Sequence, residues 1–248
     1  MNDVKISLCA SAIRTKVWEK CLNSLKDNTI KYEVIFAGDI RPEFDLSKYP
    51  EFIYIYTTVK PAQAYECCFR QAQGELISWT ADDTTYPPKA LDNMYKFMKS
   101  FKDNKVVGAF RTIEDNRDIT DVHRFRGRDN DAPRMAPFGV VDRLLFKQLG
   151  GYDRRFICGQ SENDVVMRFY EIGGRVEISN IPVYVNHNEA HHASGTVFRS
   201  GYYKEDRKVL EDAWMEGDII LSKRKYPIES FEDNEIITKT QSQKGQWE

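Results

Sequence analysis

The feature that most constrains this chain is a regular alternation in its first half. Short apolar runs at 4–10, 32–37, 52–57 and 76–79 are separated by helical-period stretches, at 15–27 and 61–72 among others. Strand runs joined through helices imply parallel pairing by right-handed crossovers. In the first helix Val17, Cys21, Leu22 and Leu25 recur at inward-facing positions. The expected class is α/β, a mostly parallel central sheet flanked by helices. A chain of 248 residues, 41% hydrophobic, fits one large domain or a domain with a small appendage.

The fourth run ends in chemistry. In ELISWTADDTTYPP (75–88) an apolar strand stops at two adjacent carboxylates, Asp82 and Asp83. Pro87 and Pro88 then open an amphipathic helix with Leu91, Met94, Tyr95, Met98 and Phe101 on one stripe. Ligands of open α/β sheets bind at the carboxyl ends of strands. A carboxylate pair there can hold a hard divalent cation, and that cation a diphosphate. The same acids also suit a cap on the following helix, and on this motif alone the two readings stand level.

The second half is less regular. The pattern predicts strands at 105–111, 138–141, 176–178 and 181–185, and helices at 143–149, 161–172 and 199–214. Gly150 and Gly151 end one helix, and Gly173 and Gly174 close another. Residues 116–134, rich in Arg and Asp, read as a loop or short hairpin. Residues 1–222 are expected to form one domain in two halves, 1–115 and 116–222. Residues 223–248 read as a tail or loose arm.

The net charge of −2 gives no global basic field to draw nucleic acid or an anionic membrane. Cys9, Cys21, Cys67 and Cys68 sit in apolar or helical patterns, and the odd count of five with no CxxC pair reads as reduced thiols. The expectation is a cytoplasmic protein without a signal peptide or transmembrane segment, peripheral at a membrane if its acceptor is lipid-linked.

The ordered set ISLCAS (6–11), EVIFAGD (33–39), AQA (62–64), QGELISWTADD (73–83), LGGYD (149–153) and SENDVVMR (161–168) resembles the family 2 glycosyltransferases of GT-A fold. The resemblance covers roughly residues 4–192 and implies that 1–222 is a catalytic domain, with 1–115 its nucleotide-sugar-binding half and 116–222 its acceptor-side half. It implies a nucleotide-diphosphate sugar donor, most simply a uridine one, an acceptor hydroxyl on a glycan or other molecule, and Mn²⁺ or Mg²⁺. It places Ala10, Arg14, Asp39, Gln63, Asp82 and Asp83 around the donor, with Asp83 on the metal, Asp82 at the ribose and Asp39 at the uracil edge. Two departures stand out: Ala81 occupies the usual first acid of the Asp-x-Asp motif, and an Asp-Asp-Gly-Ser run is missing at Asp39.

The resemblance also puts a proton-accepting carboxylate at the start of the 161–172 helix, where Glu162 is the base and Asp164 the second acid. Ser161 and Asp164 equally fit a capping box, which is the preferred reading of Asp164. Placement in a first turn is expected to lower the Glu162 pKa. His187 and His192, in NHNEAHH (186–192), both suit a further metal ligand or a solvated loop. Arg124, Arg126 and Arg128 fall on one side if their segment is extended, facing either an anionic ligand or the neighbouring Asp129 and Asp131.

Two other functions compete. One is a non-catalytic nucleotide- or sugar-binding module on the same fold, to which Ala81 and the altered Asp39 loop lean. The other is a nucleotidyltransferase, against which stands the absence of glycine in SAIRT (11–15).

Overall fold

The computed structural model describes residues 3–125, 131–186, 201–229 and 240–242. The first half runs β1 (Ile6–Ser11), α1 (Thr15–Ser24), β2 (Tyr32–Gly38), β3 (Phe52–Thr57), α2 (Pro61–Gln71), β4 (Leu76–Trp79), β5 (Thr84–Thr85) and α3 (Ala90–Lys99). The second runs β6 (Val106–Glu114), β7 (Arg117–Asp118), β8 (Gly139–Asp142), α4 (Arg143–Gln148), α5 (Ser161–Glu171), β9 (Arg175–Val185), α6 (Tyr202–Trp214), β10 (Met215–Glu216), β11 (Ile219–Ile220) and β12 (Thr240–Ser242).

One large sheet has the order β12-β3-β2-β1-β4-β8-β6-β9-β5, with β7 paired to β6. Strands β3, β2, β1 and β4 are mutually parallel, as the alternation requires. The sheet is not parallel throughout. Strand β8 runs antiparallel to both β4 and β6, because an irregular loop, and not a helical crossover, delivers it to the sheet.

Core residues divide by strand parity. Cys9, Ile35, Ile55 and Ile77 face α2, α5 and α6, while Leu8, Ala10, Phe36 and Tyr54 face α1 and α3. Burial on both faces is what near-continuous apolar strands indicate. All five cysteines are free, and four are buried. Among the described residues no helix is long and apolar enough to cross a membrane.

Several boundaries differ from the sequence pattern. Trp18, and not Val17, is the fully buried residue at the first turn of α1, ringed by Phe36, Phe44 and Tyr54. The third helix starts at Ala90 and not at the prolines, after Lys89 in the left-handed region. A residue before proline is pushed out of the helical region, so Tyr86 and Pro87 stay extended. The two short strands expected at 176–178 and 181–185 are one, β9, with a register shift opposite Ala109 and Arg111 that absorbs the irregularity before Pro182.

The segment after residue 222 does not begin as a loose arm. Arg224 is buried against Asp153 and Asp164, the Arg154 amide donates to the Glu229 carbonyl, and β12 pairs antiparallel with β3.

Candidate active site

The end of β4 and the loop after β1 are bound together by one carboxylate. Asp82 is 1% exposed. Its Oδ2 accepts the backbone amides of Ile13 and Arg14 at 2.8 and 2.7 Å and the indole N–H of Trp18 at 2.8 Å. Its Oδ1 accepts from Arg14 Nη1 at 2.5 Å. Four donors occupy the acceptor capacity of a carboxylate. Asp82 therefore organises the β1–α1 loop, a correction to its expected place at the ribose.

The same Arg14 nitrogen lies 2.8 Å from Asp83 Oδ2. Burial opposes the Arg14 charge, but Asp82 and Asp83 outweigh it and its pKa is raised. Asp83, whose side chain is also buried, opens onto a small cleft lined by Val17, Lys20, Thr85, Tyr184 and Asn186.

Behind this step stands Tyr65 of α2, a residue that neither motif nor periodicity marked. Its hydroxyl donates to the Thr80 carbonyl at 2.5 Å, and its ring packs on Phe69 and Tyr152. Burial, then the charges of Asp82 and Glu162, push its pKa far up. Both carboxylates thus act on one phenol, so Glu162 and the acid step share the neighbourhood of Tyr65.

Glu162 lies in the first turn of α5 and keeps part of its surface in solvent. Its pKa is raised, not lowered: desolvation outweighs the backbone amides of the helix start, and Asp206 adds repulsion. The capping-box reading also fails. The N-cap is Gln160, in the left-handed region, and Ser161 is already helical. Asp164 does not reach a ligand site. It is wholly buried, accepting from Arg168 at 3.0 Å, Trp214 at 2.8 Å and Arg224 at 2.9 Å, so it is part of an internal ion network and not a catalytic acid.

Other expected positions scatter. Ala10 is wholly buried within β1, its carbonyl accepting the Cys68 thiol, and so offers no side chain to a nucleotide. Asp39 is exposed just beyond β2. Gln63 donates to the Arg154 carbonyl at 3.2 Å. Arg124 reaches the Ala132 carbonyl and Arg134 pairs with Asp121. His187, His192, Arg126 and Arg128 lie outside the described residues. A larger cavity of about 390 Å³, lined by Glu66, Phe69, Arg70, Phe146, Lys147, Gly150 and Gly151, shares no residue with the acid step.

The model of the glycosyl transferase family 2 matches residues 14–157, more than half of the chain. The chain belongs to that family. The fold of this family 2 glycosyltransferase is GT-A, a curled central sheet with flanking helices. It is similar to S. aureus TarS 1–349 in complex with UDP-GlcNAc, at 15% identity and TM-score 0.61, covering 80% of this chain and 62% of that one. It is also similar to GalNAc-T7 with UDP, GalNAc and Mn²⁺, at 14% identity and TM-score 0.64, covering 86% and 48%. The chain therefore spans between about half and three fifths of the length of these solved relatives. No curated protein matches it.

Asp83 suits a divalent cation in donor chemistry. It is a hard oxygen ligand at a strand end where a cationic group, Arg14, already sits. Among the described residues no group of three or more His, Cys, Asp or Glu converges. One carboxylate completed by substrate phosphates is an ordinary way to bind Mg²⁺.

Proposed function

We propose that this family 2 glycosyltransferase transfers a sugar from a uridine diphosphate donor to an acceptor hydroxyl with inversion. The observation that carries the reading is that a carboxylate of the acid step, Asp82, and the carboxylate of Glu162 both lie near enough to one buried phenol, Tyr65, for their charges to act on it. The two solved relatives support the donor class, since one holds UDP-GlcNAc and the other UDP.

Glu162 accepts the acceptor hydroxyl proton as that oxygen attacks the anomeric carbon. The bond from the anomeric carbon to the β-phosphate oxygen breaks, and UDP leaves with the electron pair. Desolvation makes Glu162 a stronger base than a free carboxylate. Asp83 would hold Mn²⁺ or Mg²⁺, which when bound stabilises the leaving diphosphate. Arg14 sets the charge and position of both acids, and Lys20 adds a cation to the cleft at Asp83. Asp39, exposed past β2, is the residue we assign to the uracil edge.

Calorimetry with UDP, GDP and CDP, each with Mn²⁺ and with chelator, tests the reading. Metal-dependent binding of UDP that disappears in Asp83→Ala supports it. Binding of none of the three leaves a fold without the proposed donor.

A further inference from the structure

Asp206 is wholly buried on α6. Its carboxylate gathers three successive backbone amides. Oδ1 accepts from Ile157 at 2.8 Å, and Oδ2 accepts from Cys158 at 2.6 Å and Gly159 at 2.8 Å. The next residue, Gln160, takes the left-handed conformation that turns the chain into α5. Its side-chain amide donates to Tyr203 Oη at 2.7 Å, one helical turn before Asp206. Just over two turns further along α6, Trp214 Nε1 holds Asp164 in the first turn of α5. A single face of α6 thus grips the entry to α5 at three levels, and Glu162 is carried between them.

We propose that Asp206 is a positioning residue for Glu162: by fixing the amides of residues 157–159 it sets where the first turn of α5 presents that carboxylate. This rests on Glu162 being the base. A buried carboxylate accepting two or three amides is a strong, charge-assisted anchor. Displacing a catalytic group by about 1 Å from a distant mutation costs on the order of 100-fold in rate.

The titratable groups facing Glu162 among the described residues are Tyr65 of α2, Tyr152 of the loop after α4, and Tyr203 and Asp206 of α6. The three phenols are neutral in the working range, so Asp206 is the charge that acts on it. Asp206→Asn removes that charge and at least one of the three acceptor contacts while keeping the shape.

The experiment is a carbon-13 NMR titration of side-chain-labelled glutamate, with the Glu162 resonance assigned by its loss in Glu162→Gln. In Asp206→Asn the Glu162 midpoint moves to lower pH. UDP affinity stays within about 2-fold, while UDP release from UDP-GlcNAc falls about 10- to 100-fold through kcat and not KM. Asp206→Glu, which keeps the charge but shifts the amides, keeps the midpoint near wild type and still loses rate. An unchanged midpoint and rate in folded Asp206→Asn overturn the proposal. Should Asp206→Asn not fold, Tyr203→Phe frees Gln160 in the same loop: a lower rate with unchanged UDP affinity supports the proposal, and a wild-type rate overturns it. If Glu162→Gln itself turns over normally, the base assignment has failed and the positioning role falls with it. If Glu162→Gln is inactive and Asp206→Asn is not, only the positioning role has failed.

Discussion

The guanidinium of Arg14 lies 2.8 Å from the carboxylate of Asp83, and the same nitrogen lies 2.5 Å from Asp82. One cation balances two adjacent buried acids across a gap of nearly seventy residues. Arg14→Ala leaves both carboxylates buried and facing each other. The expected cost is about 2–4 kcal/mol, toward the lower end of values for a broken buried pair because Arg14 is partly exposed. A divalent cation at Asp83 would replace the missing charge, so Mn²⁺ should raise the melting temperature more in Arg14→Ala than in wild type. Thermal melts with Mn²⁺ and with chelator check this, and an equal metal effect in both proteins removes Arg14 as the balancing charge.

The raised pKa of Glu162 has a kinetic signature. A base must be ionised to accept a proton, so activity is lost as pH falls through its pKa. The acid limb of kcat/KM should lie above the ordinary carboxylate value of 4.5. Glu162→Gln should lower kcat by about 100- to 10,000-fold and abolish that limb, leaving UDP binding intact. A pH profile of donor turnover decides it; an acid limb at or below the ordinary value excludes a desolvated Glu162 as the base.

Glu66 offers a stability test away from the site. Burial lifts its pKa from 4.5 to about 7, against the Tyr152 amide and Arg70, which favour the charged form. Between pH 4.5 and about 7 the folded chain holds a proton on Glu66 that the unfolded chain has released. Stability therefore falls as pH rises through this window, by about 3 kcal/mol in total. Glu66→Gln keeps an acceptor for the Tyr152 amide and should flatten the slope. Urea denaturation at pH 5 and pH 8 measures it, and the same slope in both proteins would place its origin elsewhere.

Arg224 closes the ion network under α5. Its Nη2 lies 2.6 Å from Asp153 and its Nε 2.9 Å from Asp164, with all three side chains almost fully buried. Arg224→Ala removes a shared cation from two buried carboxylates, which keep Arg155 and Arg168, and should cost about 3 kcal/mol, the lower end for a broken buried pair. A chain ending at residue 222 should lose at least as much. Lysine is expected to rescue only in part, since it lacks a planar fork to span two acceptors. Denaturation midpoints of the three variants test the network, and a stable 222-residue chain would show that the later residues only decorate the domain.

Much of this architecture was legible before any coordinates. The apolar runs at 52–57 and 76–79 correspond to β3 and β4 residue for residue, and Gly173 ends α5 in the left-handed region as its position implied. Such features repeat every two or 3.6 residues, so a local window contains them. Asp206 was also within reach: it shares the stripe of Leu210, Ala213 and Trp214, and an acid on a buried stripe is a signal in itself. Asp164 and Glu162, two residues apart in one turn, were not separable in this way. One turns toward Arg168, Trp214 and Arg224, and the other toward Tyr65 and Tyr203.

The sequence by itself determined the alternation that builds the parallel half of the sheet, the acid step at the end of β4 and the acids at the start of α5. Only the tertiary structure decided what each acid does. Asp82 became a loop anchor, Asp164 an internal ion partner and Asp206 a cradle for backbone amides, while Asp83 and Glu162 kept a way to solvent. The physical reason is range. Backbone periodicity is set by neighbours a few residues apart, whereas a carboxylate's role depends on which donors reach it, and here Arg14, Gly159 and Arg224 reach theirs from 47 to 68 residues away.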